Sequence, residues 1–220
     1  MRESNSSNYI AALRFKWLTP YYDLIVGITT REKSFKKALV HQSAVNSNDK
    51  VLDLACGTGT LSLWIKQAQL DCEVYGVDAD EEILSIAKLK ANKNNVNIDF
   101  TRALSFDLPF DDSYFDCVVT SLFFHHLSWS EKIRTAKEIF RVLKPGGELH
   151  VADWGRAENI LMRFLFVFIQ ILDGFPNTQD NIKGRLISLF QESGYSEVRK
   201  RKTFSTIFGT MTLYSAVKNK

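Results

Sequence analysis

The sequence predicts an α/β fold: a mostly parallel sheet of seven strands, helices on both faces, an antiparallel last strand and an N-terminal helical cap. Three observations predict it. Apolar runs of strand length alternate with helix-period segments from Val51 to Asp153, the spacing of repeated βα units. The run Val51-Leu52-Asp53-Leu54 stops at a turn of small residues, Ala55 to Thr60, and a helix pattern opens directly after it. The final two strand patterns have little chain between them, and a short connection forces antiparallel pairing.

Length and composition agree with that class. A chain of 220 residues can bury one substantial core, and 45% hydrophobic with 24% charged residues is ordinary for a globular protein. A net charge of +3 is too small to argue for nucleic acid, so no such partner is expected. Cys56, Cys72 and Cys117 cannot all pair within the chain and lie in or beside strand patterns. They read as reduced, buried thiols of a cytoplasmic protein. None has zinc-site spacing, so no metal is expected. Arg2, Glu3, Arg14 and Lys16 interrupt the first residues, which therefore do not read as a signal peptide. The most apolar stretch, Ile160 to Leu172, is about half a membrane span and contains Arg163 and Gln170.

The elements follow in order. Tyr9 to Trp17 reads as a short helix ended by Pro20, and Arg31 to Gln42 as a second with Phe35 and Leu39 on its apolar side. These make a cap over 1–48, and 49–220 is the main domain. After the first strand, Leu61, Trp64, Ile65 and Ala68 recur at helical spacing. Cys72 to Asp78 is a strand, Asp80 to Asn92 a helix, and Val96 to Thr101 and Tyr114 to Thr120 two further strands. Ser130 to Leu143 is a helix stopped by Lys144-Pro145-Gly146-Gly147, and Glu148 to Asp153 is the fifth strand. A lid segment is expected over 157–180, then one amphipathic helix from Asn181 to Ser193, then strands over 195–204 and 208–217.

The turn after the first strand carries the first chemical signal. Gly57 and Gly59 allow positive φ and close approach of a ligand, although Ser62 stands where a dinucleotide fingerprint has its third glycine. Asp78 ends the second strand 19 positions past Gly59, where a carboxylate can accept hydrogen bonds from both hydroxyls of a ribose. The competing reading makes Asp78 the cap of the helix that begins near Asp80.

With these residues in view, the chain resembles the class I S-adenosylmethionine-dependent methyltransferases, which have a Rossmann-like fold. Within them it resembles the small quinone-biosynthesis-type and sterol- or lipid-type members. Four motifs carry the resemblance: Asp53 to Gly59, Gly76-Val77-Asp78, Asp107-Leu108-Pro109-Phe110 with Phe115-Asp116, and Leu143 to Gly147. It implies S-adenosyl-L-methionine as cofactor. It places Asp53, Ala55 and Gly57 around the methionine part, with Gly59 in the same cofactor-binding turn, Asp78 on the ribose and Ala79 beside the adenine. Ser121 would face the sulfonium, and Tyr21 would close over the cofactor. Ala55 replaces the family's first glycine, and Leu104 stands where the family has an adenine-binding Asp, so the main chain near Leu104 and Ser105 is left to hold the adenine.

Methyl transfer from a sulfonium is an in-line displacement and needs chiefly alignment and exclusion of water. A base is needed only where the acceptor must lose a proton, and His125 and His126, just past the fourth strand, are the catalytic candidates. The alternative is that the pair only shapes the loop. The apolar 160–172 segment fits a buried lid, a pocket for a small apolar acceptor (lipid, sterol or quinone precursor), or peripheral membrane contact. Arg199 to Lys202 read as a solvated strand edge. Leu104 is also the feature that favours the other class of function, a non-catalytic cofactor-binding or scaffold protein.

Overall fold

The computed structural model describes residues 31–156, 162–164, 166–167, 170, 175–207 and 209–219. The expected helix at 9–17, Tyr21 and most of the apolar 160–172 segment lie outside them. Helix α1 is Glu32–Ser43, β1 Lys50–Leu54, α2 Thr60–Ala68, β2 Glu73–Asp78 and α3 Glu81–Lys93. Then come β3 Asp99–Arg102, β4 Phe115–Ser121, a 3-10 turn at Phe124–His126, α4 Trp129–Val142 and β5 Leu143–Trp154. The chain continues through α5 Phe175–Ile182, α6 Leu186–Glu192, β6 Ser196–Ser205 and β7 Thr210–Val217.

The described strands form one seven-stranded sheet in the order β3-β2-β1-β4-β5-β7-β6. β1 to β5 run parallel, and β7 lies antiparallel between β5 and β6. β1 sits inside the sheet with four of its five residues buried, which is why its sequence reads as an apolar run rather than an alternation. One sheet face buries Val51, Val74, Cys117 and Val119 against Phe35 and Leu39 of α1 and Leu61 and Ile65 of α2. The other buries Leu52, Leu54, Val118 and Val151 against Ile139 and Val142 of α4 and Leu189 and Phe190 of α6. From β1 the chain builds outward to β2 and β3, then returns to add β4 and β5 on the other side. That reversal opens a crevice at the carboxyl ends of β1 and β4, where open α/β sheets take their ligands.

α1 is fixed to the sheet by polar as well as apolar contacts. Gln42 Nε2 donates to the Tyr214 carbonyl at 2.9 Å and lies 3.1 Å from His150 Nδ1. Cys56, Cys72 and Cys117 are free and buried.

The structure corrects three boundaries. The single helix expected over 181–193 is two, because Gly184 takes φ +74° and its N–H turns back to the Asn181 carbonyl. That leaves α5 and α6 as separate arms. Strand pairing on β5 starts before the Lys-Pro-Gly-Gly turn: Leu143 already pairs with Phe115, and a register shift between Phe115 and Cys117 absorbs the turn. Ser121 is the last residue of β4 rather than the first beyond it. On β6, Arg199 to Lys202 are all exposed, because two register shifts twist this edge strand. Cations on an open edge discourage pairing with another chain.

Candidate cofactor and transfer site

The turn between β1 and α2 is built from three left-handed residues, Ala55 at φ +55°, Gly57 at +54° and Gly59 at +72°. The Cys56 N–H donates to the Val77 carbonyl at 3.0 Å and ties the turn to β2. Gly59 lies so close to α3 that a Cβ there would sit 2.9 Å from Ala87 Cβ. Gly57 is the opposite case: a Cβ there would meet nothing within 4 Å, so the space above the turn is open. Lys90 of α3 braces the turn from the side, donating to Thr58 Oγ1 at 2.9 Å and Thr60 Oγ1 at 2.7 Å.

Asp78 reaches the same place from β2. Its Oδ2 accepts the Gly57 N–H at 2.9 Å and its Oδ1 the Asp80 N–H at 3.1 Å. The cap of α3 is Asp80, whose carboxylate accepts from the N–H groups of Glu82 and Ile83. Asp78 is therefore not the helix cap. Burial raises its carboxyl above the usual range, opposed by the two N–H donors.

Asp53 lies beneath the turn, 1% exposed. Ser62 Oγ donates to its Oδ2 at 2.5 Å. Burial pushes the Asp53 carboxyl up to about 6, and the Ser62 hydrogen bond only partly opposes this. Ser62 itself is fully buried. In the sequence it stood only for a missing glycine; a Ser in the first turn of the helix that follows the glycine turn, nine positions after Asp53, was the signal available for it.

The remaining candidates spread along the same edge of the sheet. The Ala79 carbonyl accepts from Arg102 Nε at 3.1 Å. Leu104 and Asp107 form an isolated bridge in the loop after β3. Ser105 is buried and its hydroxyl lies 2.8 Å from Thr135 Oγ1 of α4. Ser121 is half-buried at the end of β4.

His125 and His126 sit on the other side of the crevice, with ring centroids 4.0 Å apart. His125 Nδ1 lies 2.7 Å from Asp153 Oδ1, and the His125 N–H donates to Oδ2 at 3.3 Å. Burial would raise the Asp153 carboxyl, but His125 and the Trp154 N–H hold it below the usual range. Burial and the neighbouring His125 push His126 down to about 3, so its ring is neutral at physiological pH. Asp53 and Asp78 belong to the α1–α2 face of the sheet and Asp153 to the α4 face, so the two groups of residues approach the crevice from opposite sides.

This architecture defines an α/β class of protein whose sheet reverses its strand order at β1 and β4, with a glycine turn and the Asp78 carboxylate side by side at that switch point. Residues 51–147 match the family model of a methyltransferase domain. The chain is 31% identical to an uncharacterised methyltransferase of Synechocystis sp., over 77% of each chain. It is 25% identical to the ubiquinone/menaquinone biosynthesis C-methyltransferase of Proteus mirabilis, over 89% of this chain and 86% of that one. Its fold matches a putative methyltransferase structure from Bacillus halodurans with a TM-score of 0.68 and 20% identity, covering 85% of this chain and 100% of the other. The chain belongs to the class I S-adenosylmethionine-dependent methyltransferases, and S-adenosyl-L-methionine is its cofactor.

Ala55 gives a direct test of the turn. A Cβ in the left-handed region costs about 1–2 kcal/mol. Glycine at this position would relieve that strain at φ +55°, less its own extra freedom when unfolded. Ala55→Gly is expected to raise the melting temperature by a few degrees, read by calorimetry. An unchanged or lower value would mean that the turn carries no strain here.

Proposed function

We propose that Asp78 binds the ribose hydroxyls of S-adenosylmethionine, with Asp53, Ala55, Gly57 and Gly59 around its methionine part. Ala79 and the main chain of Leu104 and Ser105 take the adenine, and Ser121 faces the sulfonium. The observation that carries this reading is the bond from the Gly57 N–H to Asp78 at 2.9 Å beneath open space. It sets a charged acceptor and a Cβ-free turn side by side. When bound, the cofactor supplies an activated methyl group on sulfur. The protein's share is alignment and exclusion of water, worth roughly 7–11 kcal/mol in well-oriented systems.

The acceptor we infer is a small apolar ring of the quinol type. The Proteus mirabilis relative is named for quinone biosynthesis, and relatives from Staphylococcus saprophyticus and Arabidopsis thaliana are named for demethylmenaquinone and for a phytyl-naphthoquinone. Among the described residues no helix is long and apolar enough to cross a membrane. Buried, free thiols support a reducing, cytoplasmic setting. Formation of S-adenosylhomocysteine with naphthalene-1,4-diol, kept reduced, tests the acceptor class. No product with any quinol, but product with a sterol or phospholipid, would move the acceptor to the other class.

His126 serves the acceptor side and not the cofactor. A ring held near 3 releases any proton it takes at neutral pH, so it is a weak base and a good neutral wall. His126→Ala is expected to keep cofactor affinity within about threefold, by calorimetry. A loss as large as that of an Asp78 variant would remove this division of labour.

A further inference from the structure

A second polar group lies on the α4 face, beyond the residues assigned to the cofactor. Lys132 of α4 is fully buried. It donates to the Asn177 carbonyl at 2.5 Å and lies 3.6 Å from Asp180 Oδ2. Asn177 in turn donates through Nδ2 to the His126 carbonyl at 2.9 Å. α5 is thereby clasped to the turn after β4. Asn181 follows Asn177 by four residues, so both occupy the side of α5 that faces this turn.

Asn181 is fully buried, yet neither Nδ2 nor Oδ1 has a hydrogen-bond partner. Thr120, near the end of β4 and on the sheet face shared with Asp153, is also fully buried with an unpartnered hydroxyl. Buried carboxamides are rarely left with both ends unspent, because each unmet group loses its bonds to water without replacement. α5 packs against the 3-10 turn and β5, the elements that carry His125 and Asp153, and β4 leads into that turn. The apolar side of the site needs no such expense; an oxygen-bearing ligand does.

We propose that Asn181 is a specificity-determining residue for the methyl acceptor, its carboxamide hydrogen-bonding a hydroxyl or carbonyl oxygen on the acceptor ring. The inference rests on the reading of the acceptor as a quinol-type ring. Nδ2 donates to the ring oxygen, and Oδ1 accepts when that oxygen carries a proton. Thr120, on the strand that leads into the same turn, is a second polar group without a partner. A site built this way separates an oxygenated ring from its bare hydrocarbon by orphaning its own polar groups against the latter.

The test compares naphthalene-1,4-diol with naphthalene as ligands of the protein saturated with S-adenosylhomocysteine, by competition calorimetry under reducing conditions. Wild type is expected to prefer the diol by tenfold or more. Asn181→Leu, similar in volume and without polar atoms, is expected to lose most of that preference while cofactor affinity and melting temperature stay level or rise. Asn181→Ala serves if the leucine variant does not fold. Equal preference in wild type and variant overturns the inference, as does a wild type with no preference. A wild type that binds the diol selectively but never methylates it overturns the quinol reading; Asn181 then reads a ring oxygen but does not select the methyl acceptor.

Discussion

Asp78→Ala is expected to weaken S-adenosylmethionine binding at least tenfold in a protein that remains folded. A hydrogen bond to a charged group is worth about 1.5–3 kcal/mol, and tenfold in affinity is about 1.4 kcal/mol, so the loss of one ribose contact already reaches that size. The substitution also removes the acceptor of the Gly57 N–H, one of two ties between the glycine turn and β2, and leaves the Cys56 N–H on the Val77 carbonyl. Asp78→Asn separates the two effects. Its carbonyl oxygen can still accept the Gly57 N–H, but the charge is gone, so an intermediate affinity is expected. Calorimetric titration of the three proteins measures it. Binding within twofold of wild type in a folded Asp78→Ala would take the ribose away from this residue.

What the sequence disclosed follows the range of the physics involved. The parallel sheet was legible because β1 and β4 are covered on both faces, and such strands carry near-continuous apolar runs. The closing hairpin was legible because little chain separates its strands. Gly57, Gly59 and Asp78 were legible because a local turn and a strand end fix them. The role of Ser62 was not: its hydroxyl matters only once α2 folds back over β1 and brings it to Asp53. Asp80 as helix cap was hidden by Asp78, since two carboxylates near one helix start look alike in sequence. The break at Gly184 was masked by an apolar period that runs on across it. Asn181 and Lys132 were silent for the same reason as Ser62, because burial of a polar side chain is a tertiary fact.

Asp53→Asn is expected to stabilise the protein by about 1–3 kcal/mol at pH 8 and to do nothing at pH 3. The native carboxyl titrates near 6 against 3.8 for an exposed one, chiefly through burial. The folded state therefore binds the proton more tightly than the unfolded state. Below 3.8 the group is neutral in both states and costs nothing. As pH rises through about 6 the native state must hold a buried charge, and stability falls. Asparagine keeps an oxygen for the Ser62 hydroxyl without the charge, so its advantage should grow across that window and level off above it. Denaturant unfolding at several pH values measures the difference. A constant gain from pH 3 to 8 would show that charge burial is not its source. The same variant should bind the cofactor less well, because a carboxylate kept under the glycine turn at a cost to stability serves a positively charged ligand. If affinity is unchanged while stability rises, Asp53 belongs to the turn's architecture and the ammonium of the methionine part is held elsewhere.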